Sequence, residues 1–141
     1  VTKPYRVVLD PGVFVSALIT PFGPTAAMLD LIDSTSVEVV VSTRLLAELA
    51  DVLGREKFRS YFTTDEGDQY LQGLRDRAVV FDDPAQITPV CRDPDDDYLV
   101  ALARAADVEA LISGDADLTT LDLPDLDVLT PRALLDRLAP P

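Results

Sequence analysis

Short apolar runs alternate along the chain with stretches of helical periodicity, the pattern of a parallel sheet covered by helices on both faces. Arg6-Val7-Val8-Leu9 reads as a first strand and Val37-Glu38-Val39-Val40-Val41 as a second, both rich in β-branched residues. Ala78-Val79-Val80-Phe81 predicts a short third strand, Ala110-Leu111-Ile112 a fourth and Val128-Leu129 a fifth. Helical segments are expected near Thr25 to Asp33, Thr43 to Leu53, Thr64 to Arg77, Pro94 to Ala106 and Pro131 to Leu138, most with a cap or turn signal in front. The expected fold is therefore α/β: three α/β/α layers around a five-stranded, mostly parallel sheet, in one domain over residues 1–141. No internal repeat or low-complexity segment interrupts it, and Asp82-Asp83-Pro84 to Pro89 reads as a surface connection.

Four places on this framework carry acids with more than one explanation. Asp10 directly follows Val7-Val8-Leu9, at the carboxyl end of a central strand, where open α/β sheets bind ligands. It also suits a helix cap or turn before Val13-Phe14-Val15. Between Thr43 and Leu53, at about 100° per residue, Leu45, Leu46, Leu49, Val52 and Leu53 share one face. Glu48 falls just beyond the edge of that face, where it can look into a cleft, and Asp51 lies well outside it.

In Asp93-Pro94-Asp95-Asp96-Asp97, a cap followed by proline explains Asp93, and the helix dipole explains Asp95 and Asp96. Asp97 is the acid left over, one turn in and on the face of Asp93 and Ala101. In Ser113-Gly114-Asp115-Ala116-Asp117-Leu118 a buried-type strand breaks at glycine, and a tight turn accounts for one of the two aspartates better than for both.

Asp10, Asp97 and Asp115 map to one sheet edge that Glu48 can reach. Two carboxylates ~4 Å apart repel by roughly 4 kcal/mol at an effective dielectric near 20, so such a cluster needs protons or a cation. Oxygen donors alone favour a hard ion, magnesium or manganese, and that suggests phosphodiester hydrolysis by metal-activated water.

Composition narrows the alternatives. With 48% apolar residues in 141, the chain can build a core. No apolar run has the roughly 18 residues of a membrane span, and Val1-Thr2-Lys3-Pro4-Tyr5-Arg6 leads into a strand-like run and not a signal-peptide core, so a cytoplasmic protein is expected. Cys91 is the single cysteine and there is no histidine, which removes a soft-ligand zinc site and Ser-His or Cys-His catalysis. A net charge of −13, from 25 acids and 12 bases, opposes general attraction to nucleic acid. A polyanionic substrate would need a bound cation or a basic partner.

These motifs resemble the PIN-domain nucleases, specifically the VapC-like toxin branch of toxin-antitoxin systems. The resemblance covers nearly the whole chain. It rests on Val8-Leu9-Asp10 before Val13-Phe14-Val15-Ser16-Ala17-Leu18, on Leu45-Leu46-Ala47-Glu48-Leu49, on Asp95-Asp96-Asp97 before Leu99-Val100-Ala101-Leu102-Ala103, and on Ser113 to Leu118. It implies five parallel strands and a Mg2+- or Mn2+-dependent endoribonuclease with an acidic tetrad of Asp10, Glu48, Asp97 and Asp115, and Asp117 as an auxiliary ligand. It also implies a homodimer and a small antitoxin whose tail covers the site, and a basic tail would suit so acidic a chain. In one respect the sequence departs from the family: the threonine and asparagine usual after the first aspartate are Pro11 and Gly12 here. Losing such orienting groups typically weakens metal binding or activity by ~10 to 100-fold.

Arg44 and Arg104, each near an acid on a cleft-side helix, are candidate phosphate contacts, with solvated helix arginines as the plainer reading. The competing hypothesis is a catalytically impaired PIN-fold module kept for binding or dimerisation. An aspartyl-phosphate phosphatase or receiver domain fits less well, because position 12 is glycine and Lys3 and Lys57 are the only lysines. Neither an aromatic platform nor a basic stripe selects among RNA classes.

Overall fold

The computed structural model describes residues 4–140, so Val1-Thr2-Lys3, read above as the lead into the first strand, and Pro141 lie outside the described residues. Five strands are formed: β1 (Arg6–Leu9), β2 (Glu38–Val41), β3 (Val79–Val80), β4 (Ala110–Ile112) and β5 (Asp127–Leu129). They make one sheet in the order β3-β2-β1-β4-β5, and every neighbouring pair is parallel. β1 lies at its centre. Val7, Val8 and Leu9 are wholly buried, and so are Ala110, Leu111 and Ile112 beside them, as expected of strands covered on both faces.

The helices are α1 (Pro11–Ile19), α2 (Pro24–Asp33), α3 (Thr43–Leu53), α4 (Thr64–Arg77), α5 (Asp97–Ala105), α6 (Ala116–Thr119) and α7 (Pro131–Leu138). α7, α2, α1, α3 and α4 pack side by side in that order, whereas α5 packs on β1 and β4. Right-handed crossovers explain the division: β1 to β2 to β3 advances across the sheet one way, and the return to β4 puts α5 on the other face. No helix among the described residues is by itself long and apolar enough to cross a membrane.

Several helical elements differ from the sequence reading, whose segments include neither the short α6 nor a 3-10 turn at Glu56–Phe58. Periodicity does not predict α1, because Val13, Phe14 and Val15 are all buried and apolar residues run around most of its circumference, leaving no polar stripe to reveal the helical repeat. Its start signals are nonetheless present, with Asp10 as N-cap and Pro11 in the first turn. The helix expected from Pro94 to Ala106 is divided into a 3-10 turn, Pro94–Asp96, and α5. That division changes where Asp96 and Asp97 point.

The strand order reverses between β1 and β4, since β2 and β3 lie on one side of them and β5 on the other. Connections leave this point in opposite directions and open a crevice beyond the carboxyl ends of β1 and β4. Leu111, wholly buried on β4, supports that edge. Leu111→Ala is expected to cost about 2–5 kcal/mol of unfolding free energy, measured by urea denaturation.

Candidate active site

Asp10 follows β1, and its backbone N–H still pairs with the Ile112 carbonyl at 2.9 Å, so the residue is held at the crevice by the sheet itself. Both its carboxylate oxygens are engaged. Oδ1 accepts from the Gly12 N–H at 3.1 Å, and Oδ2 accepts from the wholly buried Ser113 hydroxyl at 2.7 Å. The Ser113 hydroxyl oxygen in turn accepts the Asp115 N–H at 3.0 Å. Asp115 caps α6 by accepting from the Asp117 N–H at 2.9 Å. Asp10 and Asp115 are therefore helix caps and crevice acids at once, lining, with Gly12, Ser16, Thr25 and Gly114, a cavity of about 240 Å3.

Glu48 projects from α3 and is half-buried; its Oε2 accepts a hydrogen bond from the hydroxyl of Tyr98, at the start of α5. Tyr98 is 2% exposed, and the Arg44 guanidinium lies 4.4 Å from its ring centroid. Burial, then the bond to Glu48, pushes the Tyr98 hydroxyl above the ordinary tyrosine range and keeps it a donor.

Asp97 and Asp96 exchange the roles expected of them. Asp97 is 5% exposed, and its Oδ1 accepts the N–H groups of Val90 at 3.0 Å and Cys91 at 2.7 Å. Burial would raise its pKa, but those two bonds and the Cys91 thiol outweigh it and hold the carboxyl below the usual range. Burial together with the neighbouring Asp97, Asp96 and Asp93 pushes the Cys91 thiol up to about 12, so it stays protonated and offers no thiolate. Asp97 thus fastens the connection before α5.

Asp96 faces the crevice instead. Its pKa is pushed up to about 6, first by partial burial and then by the negative charge of Asp10, Asp93, Asp115 and Glu48. The charges of Asp10, Glu48 and Asp115 therefore reach Asp96, and of these four acids Asp10 and Asp115 line the cavity itself. Sequence reasoning passed over Asp96 because negative charge in a first helical turn already has an explanation. Proline gives no signal either, since Pro11, Pro24 and Pro131 open regular α-helices in this same chain while Pro94 opens a 3-10 turn.

Of the remaining candidates, Asp117 is exposed and lies 3.6 Å from the Arg92 guanidinium. Arg104 is tied to Asp125 by bonds of 2.9 and 3.3 Å, away from any phosphate role.

A family model described as PIN domain matches residues 6–117. The chain belongs to the PIN-domain family. The uncharacterized protein MJ1680 of Methanocaldococcus jannaschii is 31% identical over 116 residues, which is 82% of this chain and 74% of that protein. Two solved structures share the fold at 15% identity. PAE2754 from Pyrobaculum aerophilum matches with a TM-score of 0.65 over 95% of this chain and 89% of its own. VapBC2 from Rickettsia felis, solved bound to a DNA fragment from their promoter, matches with a TM-score of 0.61 over 89% of this chain and 98% of its own.

PIN domains are generally nucleases and typically use divalent metals. In this PIN domain the donors are all carboxylate oxygens, and the cost of ionising Asp96, from partial burial and then from its acidic neighbours, is what a cation would relieve. The residues fit a hard divalent ion in chemistry and charge. Among the described residues no three such side chains stand close enough to enclose one as they are arranged. The bonds from Ser113, Gly12 and Tyr98 account for their present orientations.

The two neighbouring aspartates have opposite linkage to pH. Asp96 holds its proton more tightly in the folded protein, about 6 against 3.8, so its contribution favours folding at low pH and is lost as pH rises through that interval. Asp96→Asn is expected to stabilise the metal-free protein at pH 8 by an amount on the order of 1 kcal/mol, reduced from the full shift because the carboxyl is partly solvated, and to change nothing near pH 3. The lowered Asp97 pKa works the other way, giving stability present at neutral pH and lost in acid. Asp97→Ala is expected to cost about 3 kcal/mol at pH 7, the scale of two bonds to a charged acceptor. Denaturation curves of both variants across pH check both signs.

Proposed function

We propose that this PIN-domain protein is a metal-dependent endoribonuclease, the toxin of a toxin-antitoxin pair, with Asp10, Glu48, Asp96 and Asp115 as the acids that hold magnesium or manganese. The observation that carries the reading is the meeting of Asp10 and Asp115 on one cavity where the strand order reverses, with no basic side chain among the residues that line it. When bound, the metal supplies activation of water and stabilisation of the charge that builds on a scissile phosphate. The residues around it orient the acids. The Ser113 hydroxyl and the Gly12 backbone N–H hold Asp10, although Pro11 and Gly12 bring no polar side chain of their own. Asp117 remains an auxiliary ligand in this reading, reached by exchanging its ion pair with Arg92. Asp97, assigned to the tetrad by sequence, supports it from behind through the Val90–Cys91 backbone.

The reading includes a homodimer and a small antitoxin partner. A cavity of about 500 Å3, lined by Phe14, Leu29, Ile32 and Leu74 with the charged Asp33 and Arg77 among them, is a surface suited to an amphipathic segment of either. A second reading, a PIN fold retained for binding alone, is favoured by one observation: no three described acids already enclose an ion.

Calorimetric titration with magnesium and with manganese separates the two readings. Saturable binding, weakened at least 10-fold in Asp10→Asn, is expected, together with cleavage of single-stranded RNA that EDTA abolishes. A folded protein that binds neither ion at millimolar concentration would leave the binding module in place of the nuclease.

A further inference from the structure

Asp10 and Asp115 are oriented by bonds from their own turns and from the buried Ser113 hydroxyl. Glu48 has no such local support. It is a longer, more freely rotating side chain on a helix, and the hydrogen bond to its carboxylate comes from Tyr98, 50 residues away. Tyr98 is itself fixed. Its ring is buried to 2% exposure, and the Arg44 guanidinium covers it at 4.4 Å. Arg44 and Glu48 are one helical turn apart on α3, so the tyrosine is gripped by the first through its ring and bonds the second through its hydroxyl. The Arg44 N–H donates to Asp83 Oδ2 at 3.0 Å, which fastens the first turn of α3.

We propose that Tyr98 is a positioning residue for Glu48: its hydroxyl occupies Oε2 and sets the direction of Oε1 toward the other acids, while Arg44 holds the ring in place. The inference deepens the nuclease reading and rests on it. Tyr98 directly follows the Asp96-Asp97 pair at the start of α5, so the same bond sets the α3 acid relative to the α5 acid. An unanchored Glu48, repelled by its neighbours, would turn toward solvent, and its orientation would have to be restored at each binding event.

The test is Tyr98→Phe, which keeps the ring and the space it fills, followed by manganese calorimetry and thermal melting without metal. Positioning predicts manganese binding weaker by about 10-fold or more in a variant that remains folded. A tyrosine that only fills the core is replaced by phenylalanine without loss, so an affinity within about 2-fold of the parent, whatever the melting temperature, overturns the proposal. If the parent itself binds no manganese, the nuclease reading fails and the proposal falls with it. Arg44→Ala, at an exposed residue, carries the test should the phenylalanine variant not fold. Removing a cation beside a cation site would tighten manganese binding by charge alone, so a weakening supports a ring-holding role for Arg44, and a tightening overturns it.

Discussion

Parallel pairing of β1 on both of its edges is the constraint from which the site follows. Val7 and Val8, wholly buried, pair with Val39 and Val40 on one side and with Ala110 and Leu111 on the other. A one-residue slip on either side would carry every side chain of the slipped strand to the opposite face. The register is therefore strongly specified, and with it the height at which Asp10 and Ser113 leave the sheet. Their 2.7 Å bond joins residues 103 apart in sequence and exists only because β1 and β4 are neighbours.

Around that bond the molecule manages a problem of charge. Carboxylates from β1, α3, the turn before α5 and the end of β4 meet at one crevice, and nothing in the net charge of −13 relieves them. The fold holds them in place by engaging some of their oxygens with neutral donors: the Gly12 and Asp117 amides, the Ser113 hydroxyl and the Tyr98 hydroxyl. Each bond orients a carboxylate without neutralising it, so the site keeps its demand for a cation. Asp96 has no bond of this kind among the described contacts, and partial burial, then the charge of its neighbours, raises its pKa.

The substitution of Pro11 and Gly12 for a polar pair has a different meaning in the folded protein than in the sequence. Pro11 is buried in the first turn of α1, where its ring angle suits a helix start, and the Asp10 carboxylate is still oriented by the Gly12 backbone N–H, a donor that does not depend on the side chain at position 12. A Cβ at position 12 would lie 3.7 Å from Asp10 Oδ1, ordinary contact, so glycine is not imposed there by lack of space.

The apolar runs and helical periodicity by themselves determined the α/β class, the five strands, most of the helices, and the placement of Asp10, Glu48 and Asp115 near one sheet edge. Those features follow from local physics: burial of β-branched runs, a repeat of about 3.6 residues, and caps beside the runs they terminate. Only the tertiary structure decided which aspartate of Asp95-Asp96-Asp97 faces the crevice, because a 3-10 turn and a helix rotate successive residues by different angles. It alone supplied Ser113 and Tyr98 as partners of Asp10 and Glu48, since a buried hydroxyl is read from sequence as turn or core until its acceptor is known. It also tied Arg104 to Asp125, removing a cation that sequence position alone had left available to a phosphate. Local sequence states which groups lie near a sheet edge; the direction each one points is set by contacts from residues far along the chain.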